Sequence, residues 1–303
     1  MTLLQAQMDV RPEAWTAATR QALVETGLDP VMVAAVIGRA LGEDFADGPD
    51  VTTLATVHPE VVATARITPR QQGVFAGGPV AMAVFDTVLG TALQVDRIAE
   101  GSELTPGAPA MTLRGNLSGI ITAERTALNL LTHLTGIASI TRRWVDAVAG
   151  TGAQIRDTRK TLPGLRSLEK YAVRCGGGVN HRMSLGDAAL IKDNHVAAAG
   201  SVRAAVDAVR SLAPNIPLEV EVDTLVQLDE ALAAGAQLVL LDNFSLADTA
   251  EAVRRADGTG VLLESSGGLS LDRAAAVAAT GVHFLAVGAL THSSPAVDLG
   301  LDL

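Results

Sequence analysis

Beyond residue 150 short apolar runs alternate with alanine-rich segments that read as helices. The runs AQIRDTR, AALIKDN, LEVEVD, LVLLDN, VLLESSG and FLAVGAL end near Arg159, Lys192, Glu221, Asp242, Ser266 and Gly288. Their ends are about 20 to 33 residues apart, the length of a βα unit. Six units in a row predict parallel strands, either closed as a barrel or laid out as an open doubly wound sheet. LEVEVD favours the barrel. Side chains alternate along a strand, so Glu219, Glu221 and Asp223 share one face, and three carboxylates suit the polar mouth of a barrel better than a helix-covered apolar layer.

The preceding region reads differently. VMVAAVIGRALGED and AMAVFDTVLG predict helices, VVATARITPRQQGVFAGG a strand and turn, and TALQVDRIAEGSELTPGAPAMTLRGN strands broken by Gly and Pro. Together they describe a small α+β domain. SGIITAERTALNLLTHLTGIASITRRWVDAVAG then predicts a long helix with Leu128, Leu131, Leu134 and Ile137 on one stripe. Arg125 lies near its start, where position alone assigns it no task. The segment Ala274–Val297 has no Asp, Glu, Lys or Arg, but Gly281, Gly288 and Pro295 break it into short elements rather than a membrane span.

Charge changes this picture most between Arg156 and His195. Eight Lys/Arg face four Asp/Glu there, in a 303-residue chain whose formal charge is -10. A positive island in an acidic protein suits a small polyanion. Aromatic residues are only 3%, and no basic patch is interleaved with them, which argues against nucleic acid. The single cysteine, Cys175, excludes an intrachain disulfide, and MTLLQAQMDVRPE lacks the pattern of a signal peptide, so a soluble cytoplasmic protein is expected.

Three constellations can carry chemistry. The first is basic: Arg159, Lys160, His181, Arg182 and Lys192. An ammonium closing an apolar run, as Lys192 does, is costly without an anion nearby, whereas the residues alone leave His181 and Arg182 open between site and surface. Arg166 and Lys170 read as surface charge. The second is acidic: Glu221 and Asp242, at the ends of neighbouring strands, can face Mg²⁺, stabilise developing positive charge or simply pair with Lys192. The third is ESSGGLSLD with AVGALTHS, at the ends of the last two strands. In barrels these loops commonly cradle phosphate, which makes Ser265, Ser266, Gly267, Gly268 and Gly288 candidates. Cys175 reads as a small buried hydrophobe rather than a nucleophile, and His58 and His133 have no metal-ligand spacing.

DTRKTLPGLRSLEKYAVRCGGGVNHRMSLGDAALIKDNH, EVEVDTLVQLDEAL, LVLLDNF, LLESSGGLS and FLAVGALTHS, with EDFADGPDVTT and ERTALNLL, closely resemble the quinolinate phosphoribosyltransferase family. The likeness covers nearly the whole chain. It implies an incomplete, six- to seven-stranded α/β barrel over 137–289 and an N-terminal α/β sandwich over 1–136 joined by a return segment, 290–303. It implies a pentosyltransferase of NAD biosynthesis that makes nicotinate mononucleotide, CO₂ and pyrophosphate from quinolinate and phosphoribosyl pyrophosphate with Mg²⁺. A homodimer with shared active sites, or a higher oligomer, follows from the same likeness. By motif, Arg159, His181, Arg182 and Lys192, with Arg125 of the other subunit, hold the quinolinate carboxylates. Lys160 reaches phosphates, and Ser266, Gly267 and Gly288 cradle the 5′-phosphate. Glu221 and Asp242 face the ribose hydroxyls and the metal, through water or pyrophosphate. Lys160, Lys192, Glu221 and Asp242 stand closest to the chemistry. Rival readings are a lyase forming a Schiff base on Lys192, a transferase acting on nicotinate itself, and a non-catalytic binding module.

Overall fold

The computed structural model describes residues 9–90 and 93–303. The first eight residues of MTLLQAQMDVRPE and the first two of TALQVDR lie outside the described residues. The rest divides into two compact units, one holding the chain through Ile140 with Leu162–Gly176 and Ser293–Leu303, the other Thr141–Thr161 and Gly177–His292.

The first unit opens with α1 (Ala17–Glu25), α2 (Pro30–Asp44) and α3 (Val51–Thr56). Each is started by a side chain that accepts an otherwise orphaned N–H: Thr16, Asp29 before a helix-compatible proline, and Asp50. No apolar period announced α3, because it is a single short stretch set off by its cap. Next come β1 (Val62–Pro69), β2 (Gly73–Val74), α4 (Gly78–Leu89), β3 (Gln94–Arg97), β4 (Glu103–Leu104), β5 (Met111–Asn116) and α5 (Leu117–Ala147). β1 pairs antiparallel with β5, and β5 with β3. Alternation buries Ala65 and Ile67 of β1 beside Met111 and Leu113 of β5.

The second unit follows with β6 (Gln154–Arg156), α6 (Arg166–Cys175, counted with the first unit), β7 (Ala189–Ile191), α7 (Asp193–Ala199) and α8 (Val202–Leu212). β8 (Leu218–Val222), α9 (Leu225–Ala233), β9 (Leu238–Asp242), α10 (Leu246–Ala256), β10 (Leu262–Ser266), α11 (Ala274–Ala278), β11 (Phe284–Ala286) and α12 (Ala289–His292) complete it. The final strand, β12 (Leu299–Asp302), returns to pair with β1 in the first unit. Six strands form one parallel sheet in the order β6-β11-β10-β9-β8-β7, so β6 and β7 remain its edges. This is fewer than the eight strands of a full barrel. Ser201, Thr224 and Ser245 cap α8, α9 and α10, whose inward residues include Val206, Leu228 and Ala252.

Ala274–Val297 is divided among α11, β11 and α12, and no single helix among the described residues is long and apolar enough to cross a membrane. Lys170 corrects the surface-charge expectation. It is fully buried, because six consecutive residues of α6, Leu168–Val173, are covered and leave no solvent face at this turn.

Candidate functional site

The C-terminal ends of the parallel strands surround a cavity of about 370 Å³. Arg159, Lys160, His181, Arg182 and Lys192 line it, together with Glu221, Asp242, Glu264 and Ser266 over an apolar base of Leu190, Leu240 and Ala286. The basic and acidic constellations thus meet in one place. Strand register explains the acidic side. Glu221 pairs with Leu240, Asp242 with Ser266, so Glu221 sits one inward-facing step deeper than Asp242.

Arg159 lies three residues beyond the end of β6 rather than on it. The loop is fixed at Lys160, whose N–H donates to Thr158 Oγ1 at 3.0 Å and whose carbonyl accepts from the Thr291 hydroxyl at 2.8 Å. The Arg182 guanidinium donates to the Ala188 carbonyl at 2.9 Å. Burial, and then the charge of Arg159, push Arg182 below the usual arginine range. Two guanidinium groups therefore repel each other across the cavity. The Nε atoms of both are buried without a hydrogen-bond partner among the described residues. Such donors point to an anion as the missing partner.

Lys192 is half-exposed and lies 2.6 Å from Glu221 Oε2. The cost of its position is met by a carboxylate on the neighbouring strand. Gly267 has φ +83°, and a Cβ there would lie 2.3 Å from Asn243 Oδ1 and 2.9 Å from Asp242 Oδ1. Asn243 has the one left-handed non-glycine backbone among the described residues and donates to Asp242 at 2.7 Å. Gly288 admits the Lys160 side chain, whose Cδ would be 3.0 Å from an added Cβ. Arg125 stands apart from this lining. It belongs to α5 in the first unit, largely exposed and 4.0 Å from Glu124.

The expectation that Glu219, Glu221 and Asp223 share the mouth needs correction. Asp223 is exposed, but Glu219 is buried inside the sheet, with its Oε2 2.8 Å from His181 Nε2. The inward face runs deeper than the rim, and a partner at depth offsets the desolvation cost. The reading also missed Glu264 and Arg156, joined at 2.6 Å. Alternation in VLLESSG places Glu264 on the face of Ser266 and was the available signal. His181, Glu219 and Glu264 bring their ligand atoms within 4.8 Å of one another.

Burial, and then the charge of Glu219, push the Glu264 carboxyl up to about 8, while Arg156 pulls it down. A carboxyl raised in the fold contributes stability that is fully present below its unfolded value and lost as pH rises through about 8. Tm is therefore expected to fall more steeply between about pH 5 and 8 in the native chain than in Glu264→Gln. Thermal melts check this, and parallel curves would contradict it. Cys175 answers the remaining sequence question. Burial, and then Glu100, raise its thiol to about 12, which leaves almost no thiolate at neutral pH.

A parallel βα sheet whose strand ends gather cations, two rim carboxylates and a glycine-serine loop defines an α/β-barrel enzyme domain built to hold a polyanion. Family models for the quinolinate phosphoribosyl transferase N-terminal and C-terminal domains match residues 50–135 and 137–302. The chain belongs to the quinolinate phosphoribosyltransferase family. It is 58% identical over 275 residues to a nicotinate-nucleotide pyrophosphorylase [carboxylating] of Mycobacterium leprae, covering 88% of this chain and 95% of that protein. The human protein of the same name is 38% identical, with 91% and 93% covered. The nicotinate-nucleotide pyrophosphorylase structure from Francisella tularensis superposes with a TM-score of 0.84 at 38% identity, over 90% of this chain and 96% of that one.

Proposed function

We propose that this chain transfers the phosphoribosyl group of phosphoribosyl pyrophosphate to the nitrogen of quinolinate, releasing pyrophosphate and CO₂ and leaving nicotinate mononucleotide for NAD biosynthesis. The observation that carries this reading is the pair Arg159 and Arg182, two repelling guanidinium groups with unpartnered buried Nε atoms in one cavity. A pyridine with adjacent carboxylates supplies the two negative charges they lack. Lys192 sits beside them. A substrate carboxylate can take its ammonium from Glu221 and leave that carboxylate facing the ribose.

Ser266 and Gly267 close the other side, where the absence of a Cβ leaves backbone room for a phosphate, and Lys160 reaches from beside Gly288 toward the same region. As pyrophosphate departs, the anomeric carbon gains positive charge. Glu221 and Asp242 are placed to stabilise it, and Lys160 to neutralise the leaving group. The pyridine nitrogen then attacks. Once quaternary, its positive charge stabilises the electron pair left on C2 as CO₂ departs, and a proton from solvent then adds to C2 to complete the product.

The rim carboxylates also fit Mg²⁺, because two hard oxygen donors beside a polyphosphate cavity are its usual company. Glu221 and Asp242 would hold it through water or pyrophosphate, and when bound it supplies charge neutralisation on the leaving group. Chelation by EDTA is expected to abolish turnover and added Mg²⁺ to restore it, as followed by pyrophosphate release. Unchanged activity in EDTA would remove the metal from the account.

The chain acts here as a cytoplasmic homodimer in which the partner subunit completes each cavity with its own copy of Arg125. Mixing Arg125→Ala chains with Lys192→Ala chains then rebuilds one full site per heterodimer. Activity is expected to rise from near zero to roughly half the native value per heterodimer, which is about a quarter for a random mixture of the two chains, as set by site counting. No recovery after verified subunit exchange would contradict the shared site. The reaction itself is tested by offering quinolinate or nicotinate as sole acceptor. Use of quinolinate alone supports the reading, and preference for nicotinate would move the chain to the other transferase.

A further inference from the structure

Glu264 lines the cavity and is fully buried, yet the reaction above gives it no task. It pairs with Leu240 of β9, which pairs in turn with Glu221 of β8, so Glu264 and Glu221 stand at one depth, two strands apart. Arg156 of β6 donates to its Oε2 at 2.6 Å and is itself steadied by the Phe284 ring, 4.7 Å from the ring centre. Oε1 has no hydrogen-bond partner among the described residues. His181 Nε2 is 3.7 Å from it, beyond hydrogen-bond reach, so Oε1 lies at the end of the cavity that His181 lines. One oxygen of this carboxyl is anchored, and the other is left for a ligand.

The charges around Glu264 decide what that oxygen offers. Glu219 of β8 and Asp157 beyond β6 oppose ionisation, Arg156 favours it, and Glu221 and Asp242 add negative charge from the cavity wall. Neighbouring β11 presents Phe284 at this level and no charge. Burial, and then the charge of Glu219, raise the carboxyl to about 8, so it carries a proton at neutral pH. Arg156 needs an acceptor on Oε2, which leaves the proton on Oε1. Toward a dianion the two forms act with opposite sign, since a carboxylate repels it and an O–H donates to it. A metal ion among His181, Glu219 and Glu264 is a poorer account of the cluster, because the Arg156 guanidinium would be held against the ion.

We infer that Glu264 is a further binding residue for the acceptor: its Oε1–H donates a hydrogen bond to a substrate carboxylate, so the dianion is held by the neutral carboxyl and repelled by the ionised one. The anchor at Arg156 fixes which oxygen points to the substrate. The inference takes its ligand from the quinolinate reading and adds a proton to the bound complex.

Calorimetric titration of the full chain with quinolinate, in two buffers of different ionisation heat, counts the protons taken up on binding. Close to none is expected at about pH 7 and close to one at about pH 9, because the carboxyl is already protonated in the first case and must gain its proton in the second. The dissociation constant is expected to rise roughly twentyfold between about pH 7.5 and 9.5. Binding at the higher pH without proton uptake overturns the inference. Glu264→Ala is expected to weaken quinolinate binding about tenfold near neutral pH. Glu264→Gln should recover most of that loss, since Arg156 takes the amide oxygen and leaves the NH₂ group where the Oε1–H stood. Its dissociation constant should change less than about threefold over the same pH range. A glutamine variant as weak as the alanine one, or one that keeps the native pH dependence, contradicts the inference. Should neither variant fold, infrared difference spectra of the native chain labelled with ¹³C-glutamate decide. Quinolinate binding at about pH 9 is expected to add a protonated-carboxyl band that shifts with the label, and its absence overturns the proposal. A chain that binds and converts quinolinate without proton uptake loses this inference alone. A chain that binds no quinolinate at any pH loses the functional reading, and the inference falls with it.

Discussion

Replacing Arg159 by alanine is expected to lower kcat/KM for quinolinate by about a thousandfold or more while leaving Tm unchanged or slightly raised. The two effects diverge for one physical reason. In the free protein the Arg159 guanidinium has no hydrogen bond at Nε, and its charge adds to burial in holding Arg182 below the usual arginine range. Folding gains little from it. A bound dianion reverses that balance, because each carboxylate then meets a fixed, partly desolvated donor and mutual repulsion is screened. Truncation leaves one carboxylate unpaired in the complex, and the loss extends to the transition state because the pyridine nitrogen must be aimed at the anomeric carbon. Steady-state kinetics with a thermal melt of the same preparation checks both halves. A folded variant with near-normal turnover removes Arg159 from the site, and a large fall in Tm would show that the residue holds the fold instead.

A methyl group at residue 267 is expected to be nearly as damaging, through a different substrate. Gly267→Ala must accommodate φ +83° and a Cβ placed 2.3 Å from Asn243 Oδ1. Left-handed backbone costs an alanine roughly 1–2 kcal/mol before any clash. The Asn243 side chain cannot retreat freely, since it donates to Asp242 and its own backbone is left-handed with its N–H bonded to the Ser266 carbonyl at 2.9 Å. Asp242 and the glycine-serine loop would therefore move together. The expected result is a fall of about a hundredfold in kcat/KM for phosphoribosyl pyrophosphate with quinolinate binding changed less than about threefold. Calorimetric titration with quinolinate and initial rates against phosphoribosyl pyrophosphate separate the two. Equal losses toward both substrates would indicate general disorder of the rim rather than a phosphate cradle.

The parallel half of the fold was legible because its apolar runs are closed by polar or glycine positions and because Ser201, Thr224 and Ser245 cap α8, α9 and α10. Lys192, Glu221, Asp242 and Ser266 could be placed on one rim from those endings alone. Arg159 lines the cavity for a reason only partly visible in the sequence, since β6 stops at Arg156 and the loop carries the guanidinium into the cavity. Depth was not legible. Alternation assigns a face, but it does not say how far below the rim a side chain lies, so Glu219 was read as a mouth residue and Glu264 was passed over. Lys170 failed for a related reason. A lysine one residue from a glutamate reads as surface, and only the covering of consecutive residues on α6 revealed otherwise. Arg125 was beyond sequence pattern altogether, because its proposed task depends on a second chain and leaves no local period or spacing.

The central claim is that the cavity holds a pyridine dicarboxylate while a phosphoribosyl group is transferred and one carboxylate is lost. Quinolinate labelled in its 2-carboxylate, incubated with the purified chain, phosphoribosyl pyrophosphate and Mg²⁺, tests it directly. The account predicts labelled CO₂ and unlabelled nicotinate mononucleotide in equal amounts, with neither formed when phosphoribosyl pyrophosphate is withheld. Nucleotide that retains the label, or CO₂ released without nucleotide, would contradict it.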